Sequence, residues 1–264
     1  MKARAFGLYI IMLGLAAVSG FGTLYAQTGG RQFYQLKTYT FSTLEQEKLT
    51  DYYMEEAYLP ALKRNGVNNV GVFKRHRNEK DTLRQLFVLF PLSSLNQVVV
   101  LDKALQEDKL HEKVGAPFLK APHDMPPYLR VESTLMVAFP KMPLMRPTPF
   151  TGPREERVYE LRSYESPTDY LFRNKVEMFN AGGEVSLFER LGFNAVFYAE
   201  VLSGAHMPNL MYMTTFDSQE TRDELWQQFF NSDTWKSLEK DPKYQNNVNH
   251  ADIMLLYPTS YSDY

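Results

Sequence analysis

Apolar and polar residues alternate with period two over Val158-Tyr159-Glu160-Leu161-Arg162-Ser163-Tyr164, which predicts a half-buried strand. A helical run follows and ends at Glu189-Arg190-Leu191-Gly192, with apolar residues at helical spacing at Phe172, Val176, Phe179, Leu187 and Leu191. Two more strand patterns come next, Phe193 to Glu200 and Asn209 to Phe216. A second helix is predicted from Ser218 to Phe230 and a last strand from Ile253 to Tyr257. The order is β-α-β-β-α-β, the split unit of ferredoxin-like domains.

Residues 33–139 repeat this plan. Phe33-Tyr34-Gln35-Leu36-Lys37-Thr38-Tyr39 aligns with Val158 to Tyr164, and both Gly66 to Gly192 and Phe90 to Phe216 are separated by 126 residues. A fixed period of this kind marks an internal duplication. Gly66 and Gly192 follow helices that end in basic or amide residues, the position of a left-handed helix stop. Gly182-Gly183 interrupts one helix and Pro60 another, so each is expected to kink or to divide into two. Asp217 and Glu220 resemble a capping box at the start of the last helix. Between the copies, residues 140–156 are expected to form a stiff linker, since five prolines fall between Phe139 and Pro153. Pro117 to Pro127 reads as irregular, and the polar tail Thr259 to Tyr264 as frayed.

The strand faces carry the functional argument. Phe193, Ala195, Phe197, Ala199 and Val201 share one apolar face, which is expected to lie under the helices together with Tyr159 and Leu161. Glu160, Arg162, Tyr164, Tyr198 and Glu200 then share the other face, as do Gln35, Lys37 and Tyr39 in the first copy. Two such sheets in one chain are expected to close face to face into an α+β barrel whose lumen holds Glu160, Arg162, Tyr164 and Tyr198. Buried charges need partners, and Glu160 and Arg162 can serve each other. That face is either a satisfied structural network, a solvated sheet, or a pocket for a small apolar or aromatic ligand with Arg162, Tyr164, Tyr198, Tyr212, Tyr39 and Lys37 as its polar contacts.

The N-terminus changes the picture of where this happens. Lys2 and Arg4 precede an apolar run from Leu8 to Val18, and Leu24-Tyr25-Ala26 offers a cleavage site. Residues 1–26 therefore read as a signal peptide of an exported, periplasmic or secreted protein, with an uncleaved anchor as the alternative. The run is shorter than the roughly 20 residues a spanning helix needs. Cleavage removes two cations, taking 29 basic residues to 27 against 31 acidic, a formal charge of −4. That balance argues against nucleic acid as a partner. With no cysteine in the chain, disulfides and lipid-modified cysteine are both excluded.

The stretch Val158 to Tyr164, the Gly192-Phe193 turn and Met207-Pro208-Asn209-Leu210-Met211-Tyr212-Met213 with its trailing Phe216 resemble the NIPSNAP family. The resemblance is good over 157–258 and weaker over 33–139, where Gln35 stands for Glu160 and Lys37 for Arg162. It implies a dimeric α-β barrel built within one chain as an intramolecular pseudo-dimer, with room for further homo-oligomerisation, and it resembles tandem members secreted by Gram-negative bacteria. Relatives sharing the barrel include cofactor-free monooxygenases, small-molecule-degrading enzymes and haem enzymes, so the resemblance implies no single activity.

Residue chemistry narrows the field. His76, His111, His123, His206 and His250 lie far apart with no pair at helical i, i+4 spacing, so no dedicated metal is expected, and no cofactor. Phosphate loops and a hydrolase elbow are absent from the sequence. Three readings remain: a binder of a small, partly apolar molecule, a cofactor-free oxygenase or isomerase, and a structural or interaction protein. For the second, Glu160 or Glu200 would be the base, with Tyr164, Tyr198 or Arg162 holding an oxyanion. The cation at Arg162 works against Glu160 taking up a proton, which makes Glu200 the better candidate.

Overall fold

The structure is a computed structural model that describes residues 30–77 and 82–264. The targeting segment read at residues 1–26 lies outside the described residues. In the first repeat, β1 (Phe33–Phe41) leads into α1 (Leu44–Tyr53), a π-helical turn (Met54–Tyr58) and α2 (Leu59–Arg64). There follow β2 (Gly71–Arg75), β3 (Arg84–Leu92), α3 (Asn96–Glu107), α4 (Lys109–Leu119) and β4 (Arg130–Ala138). The second repeat runs β5 (Val158–Glu165), α5 (Asp169–Asn180), α6 (Glu184–Leu191), β6 (Asn194–Ser203), β7 (Asn209–Phe216), α7 (Gln219–Asn231), α8 (Asp233–Lys240) and β8 (His250–Pro258).

All eight strands form one closed antiparallel barrel in the order β1-β3-β2-β8-β5-β7-β6-β4. Each repeat contributes the four-strand order of the split unit, and the halves meet at two seams. β2 pairs with β8 from Phe73↔Pro258 to Arg75↔Leu256, and β4 pairs with β6 around Val137↔Glu200. The two copies thus close on each other, which abolishes exposed sheet edges.

The two faces of the sheets are exchanged relative to the sequence reading. Tyr159 and Leu161 do not lie under the helices. They point into the lumen, where they pack with Tyr34, Leu36, Phe73, Leu89 and Met213 from both repeats. Glu160, Arg162, Tyr164, Tyr198 and Tyr212 lie on the helix side instead, as do Gln35, Lys37 and Tyr39. The physical reason is closure: an eight-stranded barrel is just wide enough to be filled by side chains and is sealed all round. The purely apolar face therefore goes inward, while the helices bring polar partners to the outer face. β6 adds a second reason, because its register shifts between Ala195 and Phe197. The extra residue, Val196, reverses the alternation, so Phe193 and Ala195 contact the helices while Phe197, Ala199 and Val201 point into the lumen.

Local sequence explains the helices. Gly182-Gly183 separates α5 from α6 outright, with Gly183 at φ 97°. At Pro60 the helix does not break. The π turn just before it takes up one extra residue, and the Leu59 N–H bonds back to the Met54 carbonyl. α7 is capped by Ser218, whose hydroxyl accepts from the Thr221 N–H, and not by Asp217. Pro117 lies within α4, so irregular chain begins only after Leu119.

The tail is not frayed. Ser262 Oγ accepts from the Val72 N–H at 2.9 Å, and the Asp263 carboxylate holds the Val70 N–H and Lys63. These bonds carry residues 259–264 along β2 and put the Tyr264 ring inside one end of the barrel, against Phe73 and Tyr159.

Candidate functional site

In the second repeat the residues singled out by the sequence form a closed network between β5, β7 and α7. Glu160 is fully buried. Its Oε1 accepts from Arg162 Nε at 2.6 Å and from Arg222 at 3.0 Å, and its Oε2 accepts from Arg222 Nε at 2.7 Å and Trp226 Nε1 at 2.8 Å. Arg162 lies 3.6 Å from the Trp226 ring centre and donates to Tyr164 Oη at 2.9 Å, which in turn meets Tyr212 Oη at 2.9 Å. Burial alone would favour a neutral Arg162, but Tyr212, Tyr164 and Glu160 more than offset it and raise its pKa. Burial pushes the Tyr198 and Tyr212 hydroxyls well above their usual pKa. A carboxylate with four donors has no free direction in which to take a substrate proton.

Beside this network a second buried pair joins α5 to α6. Lys175 Nζ stands 3.0 Å from Glu184 Oε2, both nearly inaccessible, with Phe179 4.8 Å beneath the ammonium. Burial raises the Glu184 pKa, and Lys175 opposes the rise without cancelling it. Tyr198 lies in the same layer with its hydroxyl unpartnered. Glu200 is apart from all of these, paired with Arg31 at 3.1 Å near the β4–β6 seam.

The first repeat leaves the matching place open. Where repeat two holds Glu160 and Arg162, repeat one has Gln35 and Lys37, which line a cavity of about 230 Å³ with Tyr58, Val98, Leu101 and Asp102. Gln35 donates to Ser133 Oγ at 2.8 Å. The Lys37 ammonium lies 5.1 Å from the Tyr58 ring centre and, among the described residues, has no carboxylate partner. Tyr58 is buried, its hydroxyl has no hydrogen-bond partner, and burial raises its pKa. Tyr39 is not part of this cavity, since it packs edge-on against Phe118 and Tyr128.

The structure therefore brings Glu160, Arg162, Tyr164 and Tyr212 together, places Lys37 at an opening, and leaves Glu200 and Tyr39 elsewhere. Arg222, Trp226, Lys175, Glu184, Tyr58 and Asp102 went unread in the sequence. A signal existed for three of them. Arg222 and Trp226 are four apart and so share one face of α7, and Lys175 interrupts an apolar helical stripe.

The fold defines the class first: two ferredoxin-like units of one chain, closed into a helix-jacketed antiparallel barrel, are the dimeric α-β barrel in single-chain form. The second repeat, residues 155–263, matches the model of the NIPSNAP family. Among solved structures, a provisionally assigned monooxygenase from Fusobacterium nucleatum subsp. nucleatum ATCC 25586 superimposes with a TM-score of 0.55 at 7% identity, covering 86% of this chain and 92% of that one. A provisionally assigned monooxygenase from Lactobacillus acidophilus NCFM gives 0.53 at 7% identity, over 86% and 94%. A NIPSNAP family protein of unknown function from Agrobacterium tumefaciens str. C58 is 19% identical over 39% of this chain and 89% of its own, with a TM-score of 0.34. No curated protein matches the chain. At 7% identity the first two likenesses speak for the fold alone.

Proposed function

We propose that the chain binds a small, partly apolar molecule bearing an acidic or hydrogen-bond-accepting group, and that repeat one holds it. The ligand is assigned to the cavity between β1 and α3 and not to the polar opening at one end of the barrel, which lacks an apolar wall of this kind beside an unpartnered phenol. One observation carries this reading: the buried Tyr58 hydroxyl has no hydrogen-bond partner, and Tyr58 lines the cavity with the half-buried Lys37, beside the apolar wall of Val98, Leu101 and Leu105. A buried polar group without a partner is costly; a ligand acceptor would relieve Tyr58 and pair with the Lys37 cation. At about 230 Å³ the cavity falls below the roughly 300–1,000 Å³ of drug-sized sites, which limits the ligand to a small one.

Thermal melting of the protein against a panel of small aromatic and short-chain carboxylates tests the reading. At least one compound should raise the melting temperature, and Lys37→Met and Tyr58→Phe should each abolish that rise. If every compound leaves melting unchanged, or if the rise survives both substitutions, this reading is wrong.

A cofactor-free oxygenase or isomerase is the second reading, favoured by the fold it shares with proteins provisionally assigned as monooxygenases. It ranks lower because Glu160 is saturated with donors and Glu200 is engaged by Arg31. Export, inferred from residues 1–26, belongs to the same proposal and would place the ligand outside the cytoplasm. Among the described residues no helix is long and apolar enough to cross a membrane.

A further inference from the structure

We infer that the open mouth of the barrel is a binding site for a divalent first-row transition-metal ion, held by Glu165, His250 and Asp252, with His206 beside Glu165 on the neighbouring turn. This site lies on the lumen side of the sheet and is independent of the cavity in repeat one. The barrel has two unlike ends. One is plugged by Tyr264 with Tyr34, Phe73 and Tyr159, and the other opens as a polar cavity of about 240 Å³.

Strand geometry assembles the donors. In the β5–β8 ladder Glu165 stands directly opposite His250, and Ser163 opposite Asp252. Residues two apart on a strand share a face, so Glu165, His250 and Asp252 all project to the lumen side at the rim. One ligand atom from each lies within 4.8 Å of the other two. From the β6–β7 turn, His206 brings Nδ1 to 3.0 Å from Glu165 Oε1. With metal–nitrogen and metal–oxygen distances of about 2.0–2.2 Å, neighbouring ligand atoms around one ion sit about 3 Å apart.

A plain hydrogen-bonded cluster does not account for the arrangement. His250 Nε2 and Asp252 Oδ1 are 3.1 Å apart and satisfy each other. Glu165 Oε1 is buried, yet it accepts no hydrogen bond even with His206 close by. Independently, Asn209 stands opposite Glu165 on its other side, in the β5–β7 ladder, and lines the mouth cavity. Asn209 is only 3% exposed; its amide donates to Ser163 Oγ at 2.7 Å, which leaves Oδ1 buried and unpartnered. A buried acceptor with no donor is costly, and Glu165 Oε1 and Asn209 Oδ1 belong to strand positions directly opposite each other. A cation satisfies both, directly or through its bound water. An imidazole with two carboxylates suits zinc and its first-row neighbours, whereas calcium and magnesium favour all-oxygen sets. The two carboxylates also balance the charge of a divalent ion.

Equilibrium dialysis of the metal-stripped full chain against zinc chloride decides the matter, with cobalt(II) as a spectroscopic stand-in. One zinc per chain should bind, and cobalt should give visible absorption bands from nitrogen and oxygen ligation. Glu165→Gln and His250→Ala should each weaken zinc binding at least about tenfold, with metal-free melting curves like the parent's, whereas His123→Ala, on the exposed loop after α4, should change nothing. The exposed His250 carries the test if Glu165→Gln fails to fold. No stoichiometric binding, or binding that survives His250→Ala, overturns the assignment.

Discussion

At the residue scale the second repeat is organised by Glu160. The sequence alone suggested that Glu160 and Arg162 serve each other, and they do, at 2.6 Å. Arg222 and Trp226 were not legible as partners, because they arrive from a helix more than sixty residues away in the chain and pairing of that kind depends on the tertiary fold. Removing the buried carboxylate would leave Arg162 without its anionic partner, while Arg222 keeps only Asp223. Glu160→Gln should therefore destabilise the chain by about 3–5 kcal/mol in urea titration. Glu184 gives a pH signature of opposite origin. Burial raises its folded pKa above the ordinary 4.5, so above that pH the unfolded chain releases a proton that the folded chain retains. Stability then falls as pH rises from about 4.5 toward the folded pKa and levels off beyond it. Comparing urea midpoints of the parent and Glu184→Gln across that range should show the decline in the parent and its loss in the variant.

At the element scale the strands and helices were legible from periodicity, but the side each face took was not. Alternation reports that two faces differ, not which of them a closed barrel turns inward, and a single bulge at Val196 reverses the pattern midway along β6. The rim donors were hidden for a related reason. His250 and Asp252 meet Glu165 through strand register, a relation that helical spacing rules do not cover. The interruption at Gly182-Gly183 was plain, and the structure adds its cause. A Cβ on Gly182 would lie 2.6 Å from the Met178 carbonyl oxygen and 2.9 Å from Tyr244 Oη. Backbone would have to move, so Gly182→Ala should cost about 1–3 kcal/mol in the same titration, as overpacking does elsewhere.

At the scale of the whole molecule, the duplication and its closure into one barrel could be read from the matched strands and the constant spacing of Gly66 to Gly192 and Phe90 to Phe216. The role of residues 259–264 could not. A short polar run looks like solvent-exposed chain until the β2 edge that accepts it is known. Because Tyr264 fills a lumen to which both repeats contribute, its loss should weaken the two halves together. Tyr264→Ala is expected to lower stability by about 3 kcal/mol while calorimetry still records a single transition. Two transitions would mean that the halves melt separately despite the shared interior.

The widened turn at Met54–Tyr58 separates two properties that usually travel together. Such a turn is an α-helix carrying one surplus residue, so excising Glu56 would join α1 to α2 with both ends still in phase with the sheet, but with the Pro60 ring against the carbonyl one turn back. The strands beneath would stay in place. Tyr58, however, would lose the local widening that sets it at the cavity beside Lys37, and the protein would keep its shape while giving up its grip.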